Sequence, residues 1–174
     1  MRINKIAIMA ILVIFAIVLA GSESAFDLSS LNPCADNGSE DITVGGIGFS
    51  MPDGFTENEE YKMENESGSV NPDVTMSAAG FEDSTKDNAI YILVANYGQS
   101  NNTTEKVVKL AQTMDGKAKT INGHQGYLGE QTNDQAAAMN MTQGTVYSFV
   151  YEDNGNLVSI TATNETYFNE VIPK

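Results

Sequence analysis

Cys34 and His124 are each the only residue of their type in the 174-residue chain. Nucleophilic catalysis brings together a nucleophile, a base and a group that orients the base. Cys34 lies in an acidic, turn-rich stretch and His124 follows an Asn-Gly turn signal, so a Cys–His dyad is not expected. One histidine and one cysteine are too few for a zinc site of nitrogen and sulfur donors. No G-x-S-x-G or S-x-x-K string occurs, and Ser84-Thr85-Lys86 has the wrong spacing for the second. The glycines at 45, 46 and 48 do not form a phosphate-binding loop; between two strands they serve bends or close backbone packing.

Carboxylates are the plentiful reactive groups. Glu57, Glu59, Glu60, Glu64 and Glu66 fall in one stretch, and Asp36 to Asp41 form another. Paired carboxyl groups can hydrolyse glycosidic bonds, provided that one is held in a setting that raises its pKa. Acids in solvated loops lack that setting. Neither Asp36-Asn37-Gly38-Ser39-Glu40-Asp41 nor Glu152-Asp153-Asn154-Gly155-Asn156 completes a calcium-binding loop. No catalytic residue, cofactor or metal is expected. The positive signal is a set of N-x-S/T sequons, the acceptor motif for N-linked glycans, beginning at Asn37, Asn65, Asn101, Asn102, Asn140 and Asn164. Composition alone would supply about three.

The elements that would position these residues can be read from periodicity. Ile42–Val44 and Ile47–Met51 flank Gly45-Gly46 as short strands, and the Pro52-Asp53-Gly54 turn ends the second. Phe55 returns to the core. Glu57 to Ser69 reads as a long loop or an edge strand exposed on both sides. Val74–Phe81 alternates weakly, and Ala89–Ala95 is apolar on both faces, which puts it mid-sheet. Asn102 caps a helix with Glu105 three residues on; Val107, Leu110, Ala111 and Met114 share one face, and Gly116 ends it. Two hairpins follow. Ala118–Ile121 and Gln125–Glu130 flank Asn122-Gly123, while Thr145–Tyr151 and Leu157–Thr163 flank Asp153-Asn154-Gly155-Asn156. Gln131–Met141 is a loop or a short helical turn, and Asn164 caps a last short helix carrying Tyr167, Phe168, Val171 and Ile172. The expected fold is α+β: an antiparallel sheet of about six or seven strands, one main helix on a face, and a short C-terminal helix.

Ile6–Ala20 is an unbroken apolar run behind Arg2 and Lys5 and ahead of Gly21-Ser22-Glu23-Ser24. This is the layout of a secretory signal, with an exit after Ala20. As a helix the run spans about 22 Å, short for a bilayer core, so it is a removed signal or a thin retained anchor. Residues 21–41 form a flexible acidic spacer, and 42–174 a single domain. With Cys34 alone no internal disulfide can form; Pro33 stands where a lipobox has a small residue, so Cys34 is a linker thiol or bonds a partner chain. The net charge is −14, and loss of Arg2 and Lys5 would leave 7 basic against 23 acidic residues. Such a surface repels nucleic acid and acidic lipid and suits the outside of a cell.

The string Gly46-Ile47-Gly48-Phe49-Ser50-Met51-Pro52-Asp53-Gly54-Phe55 resembles the G-x-x-F-x-x-P-x-G-[FW] opening of PsbP/Mog1-like domains. Small exported proteins of methanogenic archaea, some described as PsbP-related, are similar in the N-terminal signal and the acidic spacer. They are also similar in a strand like Thr120–Tyr127 after a helix and in a late hairpin like Tyr147–Ile160. The similarity covers about residues 42–172 in order of elements, with Phe55 where the pattern has Trp. It implies an α/β sandwich with an antiparallel sheet and a binding or assembly role rather than an enzymatic one. The resulting expectation is an exported, non-enzymatic cell-envelope module that binds an envelope protein or wall component. An envelope hydrolase using loop carboxylates and an extracytoplasmic solute-sensing domain are the alternatives.

Overall fold

Seven of the eight residues of the strand Ala89–Asn96 are buried, although its side chains alternate between the two faces of a sheet. Such a strand needs cover on both sides. The structure, a computed structural model, describes residues 41–67, 73–85, 87–98, 102–131 and 145–174. The expected signal, nearly all of the spacer, Cys34 and most of the Gln131–Met141 connection lie outside these residues, as do Asn37, Asn101 and Asn140. In chain order the strands are β1 (Asp41–Val44), β2 (Ile47–Ser50), β3 (Phe55–Glu57), β4 (Met63–Ser67), β5 (Thr75–Asp83), β6 (Ala89–Asn96), β7 (Lys117–Ile121), β8 (His124–Gln131), β9 (Val146–Asp153) and β10 (Asn156–Ala162). Helix α1 spans Thr103–Thr113 and the short α2 Phe168–Val171.

The main sheet has eight strands in the order β3-β5-β6-β10-β9-β8-β7, with β4 also pairing β5, and every pairing is antiparallel. The architecture is α+β, as expected, but the sheet is larger than six or seven strands. In addition β1 and β2 form a separate two-stranded hairpin. Two further strands lie just ahead of the acidic stretch and within it. β3 is only three residues long, and β4 is an edge strand with four of its five residues exposed. Between them Glu59–Tyr61 forms one 3₁₀ turn, capped by the Asn58 side chain accepting the Glu60 N–H.

Two apolar layers flank the sheet. On one face Met76, Ala78, Leu93, Ala95, Val150 and Leu157 meet Val107, Leu110, Ala111 and Met114 of α1 and its end. On the other, Ile90, Ile92, Val94, Phe149, Val158 and Ile160 meet Val44, Ile47 and Phe49 of the hairpin and Phe168, Val171 and Ile172 near the C-terminus. Helix α1 starts where the sequence places it: the Asn102 side chain accepts the Glu105 N–H at 3.3 Å. Its end differs. The left-handed residue is Asp115, and Gly116 serves by close approach, since a Cβ there would lie 3.1 Å from the Ala111 carbonyl oxygen.

Asn122-Gly123 and Asn154-Gly155 both adopt the two positive φ angles of a type I′ turn, which fix the registers Ile121↔His124 and Asn156↔Asp153. Gly126 has another task. A Cβ on it would stand 2.3 Å from the Val150 carbonyl oxygen and 2.8 Å from the Phe149 ring, so β8 and β9 approach over a bare backbone. Gly123→Ala meets open space and costs only left-handed strain, about 1–2 kcal/mol. Gly126→Ala must move a carbonyl in the middle of the sheet and costs about 3 kcal/mol or more. Urea unfolding midpoints of the two variants should separate in that order. Equal midpoints would show that β8 is free to move away from β9.

Candidate functional site

β7 is the outermost strand of the main sheet, bonded to β8 and to no other described strand. Its order is fixed locally, because the Asn122-Gly123 turn folds it back on β8 and leaves its outer N–H and C=O groups outside the ladder. Four of its five residues are exposed. Alternation puts Lys117, Lys119 and Ile121 on the face carrying the β1–β2 hairpin, where Ile121 is buried and Lys119 pairs with Glu165. Ala118 and Thr120 point to the helix side. There they floor a groove of about 490 Å³ with Gln125 and Tyr127, walled by Thr104, Val107 and Val108 of α1 and by Glu152. The wall is braced: Thr104 Oγ1 donates to Glu152 Oε2 at 2.5 Å, and Thr103 Oγ1 donates to the Gly155 carbonyl at 2.7 Å. These bonds tie the start of the helix to the β9–β10 turn, so the groove has fixed sides and an open edge.

A second hollow of about 450 Å³ lies at the opposite edge, between the β1–β2 turn and β4–β5. Lys62 sits in it with Glu57 at 3.2 Å and Glu64 at 3.9 Å. Partial burial pulls the Lys62 ammonium down, but the hydrogen bond to Glu57 and the charges of Glu57, Glu59 and Glu64 outweigh it and hold its pKa above the ordinary value. Glu57 and Glu64 thus meet a lysine rather than each other. The Glu64 side chain remains 75% exposed, a solvated group of the kind that makes a poor general acid. Asp41, the last residue of the expected spacer, already pairs with Ser50, whose hydroxyl donates to it at 2.9 Å.

A buried polar corner occupies the helix side of the sheet. Tyr61 and Tyr91 stack edge to face at 5.4 Å beside the buried Glu82, and the Tyr91 hydroxyl makes no hydrogen bond among the described residues. Burial first, then Glu82 and Glu60, push Tyr61 up to about 12. Burial, Tyr61 and Glu82 push Tyr91 further still. Burial also raises Tyr97, and burial with Asp153 raises Tyr151. Phenols raised in this way keep their protons at neutral pH.

His124 lies against the Tyr151 ring at 4.9 Å. Among the described residues no three His, Cys, Asp or Glu side chains are grouped so as to hold a metal ion. Of the described sequon asparagines, Asn65 lies exposed on β4, Asn102 caps α1, and Asn164 caps the turn before α2, accepting from the Thr166 N–H and hydroxyl at 3.0 Å each. They fall on three separate elements: β4, the start of α1 and the turn before α2. The β7 groove was not foreseen. Its only sequence trace was the exposed alternation Lys117-Ala118-Lys119-Thr120 beside an Asn-Gly turn.

No family model, characterised protein or solved structure matches the chain. Among the described residues no helix is long and apolar enough to cross a membrane.

The raised phenols set an alkaline limit. Their folded pKa values exceed the unfolded value of 10.0, so the stabilisation is fully present below pH 10 and is lost as pH rises through the folded values. Absorbance titration should leave Tyr61, Tyr91, Tyr97 and Tyr151 protonated past pH 10. Their ionisation should coincide with loss of ellipticity; four phenols titrating at pH 10 in a folded chain would refute the burial.

Proposed function

We propose that the chain is an exported, non-enzymatic cell-envelope module of PsbP/Mog1-like architecture that binds an extended, acidic segment of a partner protein by strand addition along β7. The observation carrying this reading is a sheet edge that is open among the described residues, with Lys117 and Lys119 on one face and, on the other, a groove floored by Ala118, Thr120, Gln125 and Tyr127. An added strand would bond to the outer backbone groups of β7, the interaction common to edge-binding peptides. Its alternate side chains would point one way at Lys117 and Lys119, and the other way into the groove over Ala118 and Thr120.

The lysines also select. Pairing β7 with its own copy would set the lysines of one copy against those of the other, whereas an acidic residue would complement Lys117 and compete with Glu165 for Lys119. The signal-like run Ile6–Ala20 and the acidic surface support export, and a lysine-bound carboxylate cleft supports binding over hydrolysis.

The test uses the full chain in the cells that make it, with a photo-crosslinking residue at Ala118 and a control at the exposed Thr56 of β3. A discrete adduct is expected from position 118 only, joined to an acid-rich peptide, and lost at least tenfold in Lys117→Glu/Lys119→Glu. No adduct, an adduct indifferent to charge reversal, or a self-adduct would overturn the proposal.

A further inference from the structure

The edge of the sheet opposite β7 carries a sequon. Asn65, Glu66 and Ser67 are all exposed on β4, which pairs with β5 alone. The register shifts between Met63 and Glu66, and Asn65 takes a left-handed φ of 50°, lifting it out of the ladder. Its N–H donates to Ser77 Oγ at 3.0 Å, while its carboxamide makes no hydrogen bond among the described residues.

The other two described sequons differ. The carboxamides of Asn102 and Asn164 are engaged as caps, and the third-position hydroxyls are spent on Glu152 and on Asn164 itself. Capping accounts for Asn at those positions. At position 65 the backbone asks only for a residue that tolerates positive φ, which glycine would serve with less strain. Nothing in the fold asks for a hydroxyl two residues on.

We infer that Asn65 is the acceptor of an N-linked glycan that covers the β4 edge. The inference rests on the export reading, because the donor is a lipid-phosphate-linked oligosaccharide presented outside the cytoplasm. In the transfer the anomeric C–O bond to the lipid phosphate breaks and a C–N bond to Asn65 Nδ2 forms. Nδ2 gives up one proton and the lipid phosphate leaves with the electron pair, with no change in oxidation state. The exposed hydroxyl of Ser67 supplies the recognition element that the motif requires. A glycan there would close the β4 edge to strand addition and overhang the hollow around Lys62, to which Asn65 contributes a wall.

The test is glycopeptide and intact-mass spectrometry of the full chain purified from the cells that make it, as wild type, Asn65→Gln, Ser67→Ala and Ser67→Thr. The expected result is one oligosaccharide increment on the peptide containing Asn65. It should be lost in Asn65→Gln and Ser67→Ala and retained in Ser67→Thr; the two Ser67 variants keep the backbone requirement at Asn65 intact. A bare Asn65 peptide, or a glycan confined to Asn102 or Asn164, overturns the inference. Protease treatment of intact cells separates the causes. A chain digested from outside with Asn65 bare leaves export standing and removes the glycan, whereas a fully protected chain removes both.

Discussion

Water is excluded from both faces of β6 and β10, and the rest of the fold follows from meeting that requirement. The single cysteine rules out an internal disulfide, so stability rests on the two layers that cover these strands. Helix α1 covers one face. The β1–β2 hairpin and α2 cover the other, and they come from opposite ends of the domain. Phe49, near the start, and Phe168, near the end, share one cluster around Phe149, so neither terminus of the described domain can detach without opening the core. Burial of this kind is non-directional; the directional part lies in two Asn-Gly turns that set which residues face which layer.

Where burial was strong, the sequence was readable. Ala89–Ala95 announced a central strand because both of its faces are apolar, and Val107, Leu110 and Ala111 announced α1 because a helix covering one face needs one stripe. The two hairpins were readable because Asn-Gly satisfies a backbone requirement that few other pairs meet. β4 reads equally as loop or edge strand for the converse reason. Four of its five side chains are exposed, so nothing alternates, and its pairing with β5 is written in backbone hydrogen bonds that have no side-chain signature. The strand count fell short for the same reason. Ile47 and Phe49 alternate as any half-buried strand would; periodicity reports that a face is covered but not which layer covers it.

The candidate surfaces were less readable than the fold. The β7 groove joins Val107 and Val108 to Ala118, Thr120 and Tyr127, residues that meet only after α1 has docked on the sheet. The sequons were plain as motifs, yet the distinction between a capping asparagine and an unengaged one depends on whether a backbone N–H lies within reach of its oxygen. Alternation in Lys117-Ala118-Lys119-Thr120 is also what a solvated edge strand would show, so the sequence could not separate protection from recognition.

The two edges of the sheet are therefore unlike in a way that charge alone does not describe. β4 is kinked by a register shift and carries Glu64, Glu66 and a sequon; β7 pairs with β8 without a shift in register and carries lysines on one face. At physiological ionic strength charges are screened beyond about 8 Å, so the −14 of the whole chain does little to an incoming segment once it reaches β7. Within that distance lie Lys117 and the Lys119–Glu165 pair. For the acidic partner proposed above, long-range repulsion would slow the approach, while local contacts would govern how long it stays. A regular edge carrying lysines thus stands opposite an edge distorted by a register shift, and the two ends of the sheet present different chemistry.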